Sequence, residues 1–455
     1  MSNEPSAGGW AHPSIRALEA KDPVAWVTEQ ARHLAYRAIE AGWSGPPFDP
    51  AQLADMLRIE VRPSQDVLDA QLVPSQGGVR IEFNPNRSPG RIRYSIAHEI
   101  GHTLFPDHSE QARHRLAGEK GSTDAELEVL CNLAAAEILM PVGSFPELAT
   151  TSPSIDSALH LRSAFDLSME AVLLRIGRLA KVQTMVFAAA PVGHLAADGY
   201  RLDYAIRAWS GPAPLTRGYR LPARSVVGQC TAIGFTAKGL ERWRGFSAAM
   251  RVEAVGIPPY PGDSLPRVAG LLLPASGQAT LPSISYLVGD ATQPRGDEPK
   301  IIVHVVNDAT PRWGGGFALE VRKRWPSVQG AFLDWAGGRP PRLGTVHVAE
   351  AQDGIKVASM VAQHGYGPSA RPRIRYQALE ECLEQIAATA LESGASVHAP
   401  RIGAGQAGGD WSLIAELIEN SLVGRGVTVM IYDLPAAERP NVDAPRMRQL
   451  PLTLA

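Results

Sequence analysis

A chain of 455 residues exceeds what one hydrophobic core ordinarily supports, so two or three domains are expected. Apolar residues make up 45% and charged residues 20%, with 44 Lys and Arg against 46 Asp and Glu. That is ordinary globular composition, with no whole-chain basic field to invite nucleic acid and no acidic one to repel it. The N-terminal "MSNEPSAGGWAHPS" lacks a basic and an apolar segment of the secretory kind, and no run of about 18 apolar residues occurs. The expected location is therefore the cytoplasm, with no membrane partner. Cys131, Cys230 and Cys382 are too few for a disulfide framework and too far apart for a CxxC metal site, so they read as buried small apolar residues.

The chain divides into three blocks between two tails, 1–14 and 437–455. The first block, 15–185, is helix-dominated: "DPVAWVTEQARHLAYRAIEAGW" has helical apolar spacing, "PFDPAQLADMLRI" starts a second helix, and "GVRIEFNPN" reads as a strand ending in a turn. "LHLRSAFDLSMEAVLLRIGRLA" reads as two helices around a turn capped at Ser168. The second block, 186–278, has short apolar runs punctuated by Gly and Pro, such as "TMVFAAAPV" and "RVAGLLLP", and is expected to be a small β-rich domain. The third, 279–436, alternates apolar strands with amphipathic helices, from "KIIVHVVN" to "VTVMIYDL", and predicts a largely parallel α/β sheet.

Within the first block, "RIRYSIAHEIGHTLF" puts His98 and His102 four residues apart with Glu99 between them. On a helix, residues i and i+4 stand one turn apart on one face, so both imidazoles can hold one zinc ion. Zinc lowers the pKa of a bound water toward ~7, and Glu99 is placed to take its proton as general base. The apolar residues around the motif bury it, and unpartnered His and Glu would be costly there, which favours a metal over coincidence. Zinc needs a third protein ligand, and "TDAELEVLCNLAAAEILMP" offers Glu126, Glu128 and Glu137. Glu128 and Glu137 are nine residues apart, about 180° around a helix, so they cannot both face one metal. The alanines at 134–136 would let this helix approach the histidine helix closely.

"RIRYSIAHEIGHTLF" followed by "EVLCNLAAAEILMP" resembles the ImmA/IrrE family of metallopeptidases, over about residues 20–185. The resemblance implies a zincin-like domain in which His98, His102 and Glu128 ligate Zn2+ and Glu99 is the catalytic base. It also implies a regulatory protease that cleaves a specific repressor or antitoxin-like protein. Cys131 and Leu133 depart from the family's common alanine and phenylalanine, both as packing changes. The helix pair at 159–181 presents only Arg162, Arg175, Arg178 and Lys181, so packing onto the protease core is expected rather than DNA contact.

In the third block, "KIIVHVVNDATPRWGGGFALEVRKRW" and "ASVHAPRIGAGQAGGDWSLIAELIENSL" each read as a strand, a glycine cluster and a helix. Glycines let the backbone approach a phosphate, and the following helix N-terminus offers N–H groups and a favourable dipole. Two such loops at the C-terminal ends of parallel strands suit a diphosphate. "ISYLVGDAT", "HVVNDATPRWGGGFA" and "APRIGAGQAGGDW" resemble the macrodomain, an ADP-ribose-binding module of three-layer α/β/α form, over about 283–434. The resemblance implies Asp290 at the adenine amino group and Asn307 near the distal ribose. Gly314, Gly315 and Gly316 would flank that ribose and a phosphate, and Gly403, Gly405, Gly408 and Gly409 would wrap the diphosphate. Asp410 stands where some hydrolytic macrodomains carry a catalytic acid, though an aspartate before "WSLIAEL" is equally a helix N-cap. No lysine in the first loop could form a sugar adduct.

The expectation is thus a multidomain α+β and α/β protein: a helical zincin-like metallopeptidase domain, a β-rich middle domain and a C-terminal macrodomain-like domain. Its function would be regulatory zinc proteolysis coupled to ADP-ribose or an ADP-ribosylated target; if the C-terminal block docks over the zinc cleft, ADP-ribose should alter cleavage. The alternative is an ADP-ribosyl hydrolase or reader that uses the protease-like part for recognition or self-control.

Overall fold

The computed structural model describes residues 10–434 apart from 110–112, 115–123, 146–151, 194–198, 208–214, 261–263 and 276–282 and the single positions 181, 223, 247, 297 and 353. The tail expected at 437–455 and most of that at 1–14 lie outside the described residues. No described helix is long and apolar enough to cross a membrane.

The first domain runs α1 (Pro13–Arg16), α2 (Pro23–Glu40), α3 (Pro50–Met56), β1 (Glu60–Pro63), β2 (Ala70–Ser75), β3 (Gly78–Phe83), α4 (Pro89–His102), β4 (Arg113–His114), α5 (Asp124–Leu139), α6 (Ile155–Phe165) and α7 (Met169–Leu179). Asp22 and Asp49 cap α2 and α3 with a proline opening each helix, the arrangement those sequences favour. The strands form one sheet in the order β1-β3-β2-β4. β3 was legible in the sequence; β1 and β2 were not.

The expected N-terminal tail is tied down at its described end. Glu126 accepts the N–H groups of Ala11 and His12 at 2.8 and 3.0 Å, and Ser14 Oγ donates to Asp107 at 2.6 Å. Glu126 is thus spent as a backbone acceptor.

The middle block forms β5 (Met185–Pro191), β6 (Tyr200–Arg207), β7 (Thr236–Glu241), β8 (Met250–Ile257) and β9 (Arg267–Pro274), an antiparallel sheet in the order β6-β5-β9-β8-β7. One face, with Val186, Val255, Ile257, Leu271 and Leu273, shares the core of the first domain, and the other covers Trp243, Val252 and Leu272. Burial on both faces explains the continuous apolar runs. Glu253 caps α6 by accepting Ile155 N–H at 2.9 Å, and Arg267 pairs with Glu170 of α7 at 2.8 Å.

The C-terminal domain consists of β10 (Ser285–Val288), β11 (Lys300–Asn307), α8 (Gly316–Arg324), α9 (Pro326–Ala336), β12 (Val346–Gln352), β13 (Ile355–Gln363), α10 (Tyr376–Ser393), β14 (Ser396–Pro400), α11 (Trp411–Ser421) and β15 (Val429–Asp433). The sheet order is β10-β15-β14-β11-β13-β12, parallel except for the edge strand β12. Alternate residues explain the layers: Ile302, Val306, Val357 and Val361 face α8 and α9, while Ile301, Val303, Ala358 and Met360 face α10 and α11.

Among the described residues this domain's polar contacts with the first domain involve elements other than the histidine helix α4. It packs on α2 and on the turn after α5. Arg32 Nη1 meets Glu380 at 2.6 Å, His33 Nε2 meets the same carboxylate at 3.3 Å, and Glu40 accepts Tyr376 N–H at 2.8 Å. Gly143 N–H donates to Glu416 of α11 at 2.6 Å, with Val142 in the C-terminal domain's core. Gly143 has φ +86°, and a Cβ there would lie 2.7 Å from Leu413 Cα, so glycine is required twice over.

Candidate metal centre and nucleotide crevice

The α4 segment from Ser95 to His102 is buried, with His98 and Glu99 fully inaccessible and His102 at 1%. α5 crosses it closely: a Cβ on Gly101 would lie 3.1 Å from both Ala134 Cβ and Cys131 O. This glycine–alanine approach carries Glu128 over the histidines. His98 Nε2 lies 3.2 Å from Glu128 Oε2 and His102 Nε2 lies 3.4 Å from Glu128 Oε1.

The opposite imidazole nitrogens are engaged. Asn132 Oδ1 is 3.0 Å from His98 Nδ1 and also accepts the Tyr94 O–H at 2.8 Å, so His98 carries its proton on Nδ1 and presents a lone pair at Nε2. His102 Nδ1 is 3.3 Å from Cys131 Sγ. Cys131 is buried in the core, as its sequence reading expects, and also touches a histidine, a contact that reading did not include.

Ligand atoms of His98, Glu99 and His102 lie within 4.8 Å of one another. Glu128 stands opposite both Nε2 atoms, at contacts shorter than that spread. Burial pushes the Glu128 carboxyl up, yet the charged forms of His102 and His98, each carrying a proton on Nε2, outweigh it and hold the group well below the usual carboxylate range, as a cation held in their place would. Two imidazoles and an ionised carboxylate converging on one point fit a tetrahedral Zn2+ with one position left for water. Glu137 faces elsewhere, bound to Arg175 Nη1 at 2.6 Å with both side chains buried.

In the C-terminal domain the sequence-predicted residues gather at the C-terminal ends of β10, β11 and β14. Gly315 is the extended N-cap of α8, and Gly316 has φ +58°. In the second loop Gly403 and Gly408 have φ +72° and +67°, and Gly409 N–H closes onto Gly403 O at 2.9 Å. The loops meet through Gln406, whose amide nitrogen would lie 3.2 Å from a Cβ on Gly315. Asn307 Oδ1 accepts the N–H groups of Ala309 and Thr310, holding the first loop. Asp290 is turned onto Thr292, accepting its N–H at 2.8 Å and its O–H at 2.7 Å. Asp410 accepts Ser412 N–H at 2.7 Å, which is the N-cap geometry.

Sequence reasoning missed Arg401, which is paired to Asp433 at 2.7 and 2.8 Å and lies over Trp411 and Tyr286 at 5.1 and 5.4 Å from their ring centres. No spacing signal joins these residues, since each lies on a different element.

The family profile described as Peptidase_M78, the IrrE N-terminal-like domain, matches residues 62–177. A chromodomain-helicase-DNA-binding protein 1-like from Mus musculus is 37% identical over 166 residues, which is 34% of this chain and 18% of that protein. The chain spans under a fifth of the length of the curated relatives it matches. A macrodomain protein from Streptomyces coelicolor is 41% identical over 33% of this chain and 99% of its own, with a TM-score of 0.30. A protein of unknown function from Bacteroides thetaiotaomicron is 38% identical over 33% of this chain and 98% of its own, with a TM-score of 0.32.

Proposed function

Because the chain joins an IrrE-like Peptidase_M78 domain to a macrodomain-like domain, we propose that it is a zinc-dependent regulatory metallopeptidase of the cytoplasm. Its substrate is a specific repressor or antitoxin-like protein, and its C-terminal domain senses ADP-ribose or an ADP-ribosylated target, as in a stress response. The observation that carries the reading is the convergence of His98 Nε2 and His102 Nε2 on the Glu128 carboxylate, at 3.2 and 3.4 Å.

His98, His102 and Glu128 would hold the metal, which when bound polarises a water and the scissile carbonyl. Asn132 fixes the His98 tautomer so that Nε2 is the donor. The Glu99 carboxylate, buried beside both histidines, takes a proton from the attacking water and passes it to the leaving amine. Its burial excludes bulk water from that transfer.

The crevice reading rests on two glycine loops touching through Gln406, each before a helix N-terminus. The Arg401, Trp411 and Tyr286 cluster adds a planar surface suited to stacking a base.

The test is elemental analysis of the purified full chain, together with profiling of new protein N-termini in cells expressing wild type or Glu99→Gln. One zinc per chain in both, with new termini only in the wild type, is expected. A wild-type protein without zinc, or new termini undiminished by Glu99→Gln, would remove the proteolytic reading.

A further inference from the structure

We infer that Cys131 is a positioning residue for His102: its thiol sulfur accepts the imidazole Nδ1–H, leaves Nε2 as the donor, and so sets how tightly the centre holds a metal. The inference rests on the reading of His98, His102 and Glu128 as a zinc site.

The three α5 residues that meet the histidines stand at i, i+3 and i+4, on one face of the helix. Glu128 lies opposite both Nε2 atoms, Cys131 Sγ lies 3.3 Å from His102 Nδ1, and Asn132 Oδ1 lies 3.0 Å from His98 Nδ1. One turn of α5 thus supplies a carboxylate to both histidines and an outer partner to each. The two rings stand nearly edge-on, 5.0 Å between centres and 76° between planes, so each Nδ1 needs a partner of its own.

Gly101 fixes the place of the thiol. A Cβ there would lie 3.1 Å from Cys131 O and 3.3 Å from Cys131 Cα, so any side chain would push the two helices apart by a few tenths of an ångström. Gly101 directly precedes His102, which puts the tight approach of α5 on α4 at the Cys131–His102 pair. Both side chains are buried, at 0% and 1% exposure, so bulk water does not compete for the Nδ1 proton.

A buried cysteine can be a small apolar filler and no more. Filling space, however, gives Sγ no reason to meet a ring nitrogen. An imidazole that gives Nε2 to a metal keeps its proton on Nδ1, and Sγ stands at that atom. The two outer partners also differ in strength. Asn132 offers a carbonyl oxygen that is itself held by the Tyr94 O–H at 2.8 Å, whereas a thiol sulfur is a weak acceptor. His102 is therefore the more loosely oriented of the two histidines, and the residue at 131 tunes it.

The experiment measures the zinc dissociation constant of the full chain by chelator competition for wild type, Cys131→Ala and Cys131→Ser. Urea denaturation of each metal-free protein and the absorption spectrum of the cobalt(II)-loaded wild type accompany it. Cys131→Ala should hold zinc about 10-fold more weakly or worse, while Cys131→Ser, which restores an acceptor, should stay within about threefold of wild type. The cobalt(II) protein should lack a thiolate-to-metal charge-transfer band, because the sulfur acts through the imidazole. Unchanged zinc affinity in Cys131→Ala, or equal losses in the alanine and serine variants that follow their urea midpoints, would reduce Cys131 to packing and leave the zinc site standing. A charge-transfer band would make Cys131 a ligand and overturn the inference as well. A wild type that takes up no zinc removes the zinc reading and this inference with it.

Discussion

Replacing Glu128 or Glu137 by alanine separates the two faces of α5. Glu137 lies 2.6 Å from Arg175 Nη1, and the side chains are 4% and 5% exposed. Arg175 Nε and Nη2 are buried without a hydrogen bond among the described residues, so Glu137 is its close counter-charge. Removing one partner of such a pair leaves an uncompensated buried charge, which costs about 3–5 kcal/mol. Against a typical domain stability of about 5–15 kcal/mol, Glu137→Ala should unfold at markedly lower urea while its folded fraction keeps zinc. Joint replacement by Glu137→Met and Arg175→Met should recover much of that loss, because a buried ion pair is often no more stable than apolar residues of similar volume. Glu128, with 22% of its side chain exposed, should behave oppositely: Glu128→Ala strips zinc and leaves the apo protein's unfolding almost unchanged. The assays are urea denaturation of metal-free protein and metal content after dialysis. Zinc lost from folded Glu137→Ala but kept by Glu128→Ala would refute the assignment of faces.

Gly315→Glu places a carboxylate between the glycine loops, where only the flexible end of Gln406 must move; ADP-ribose affinity should fall by about 30-fold or more in calorimetry, with zinc unchanged. The interdomain joint should weaken in acid. Burial raises the Glu380 carboxyl, but hydrogen bonding to His33 and the charge of Arg32 outweigh it, so its folded pKa is depressed. Its contribution is present above the unfolded value and lost as pH falls through the folded one, so thermal midpoints should drop as pH falls below the ordinary carboxylate range, less steeply in Glu380→Gln. Glu40, raised by burial, works in the opposite direction and reduces the net slope. Gly143→Ala would drive a Cβ into Leu413 at 2.7–2.9 Å; any effect of ADP-ribose on cleavage should vanish in this variant while zinc and ADP-ribose binding persist, measured by cleavage with and without nucleotide. A nucleotide effect of wild-type size would show that coupling does not cross this contact.

The shared face of His98, Glu99 and His102 was legible because helix geometry leaves little freedom once two histidines stand at i and i+4. The three alanines of α5 also signalled a close crossing, and Ala134 meets Gly101. What the sequence could not show was pairing across distance. Arg175 is 38 residues from Glu137 and Arg32 is 348 residues from Glu380, separations at which no periodicity survives. β1 escaped notice because it is four residues long, mostly exposed and ends in proline, so it has no apolar alternation. Asp410 carried two readings that residue type alone cannot separate; the backbone of α11 favours the cap.

The position of the joint changes what coupling would require. A domain lying over the zinc cleft could act by obstruction, but here the contact is at the far end of α5, roughly 16 Å of helix separating Glu128 from Leu139. The second glycine loop leads directly into α11, α11 holds Gly143 through Glu416, and Gly143 follows the helix that carries Glu128. Along that helix Glu137 is clamped by Arg175, and Arg32, which burial pushes down, is nonetheless held above its usual pKa, first by the charge of Glu380. Arg32 pairs with Glu380 and Glu137 with Arg175, and sliding α5 would separate the buried Glu137–Arg175 pair. Tilting α5 as a rigid unit would move Glu128 and keep the Glu137–Arg175 pair together. If the proposed metal and nucleotide sites are coupled, nucleotide biases the histidine face only by the difference in its affinity for two positions of α5, typically about 1–3 kcal/mol.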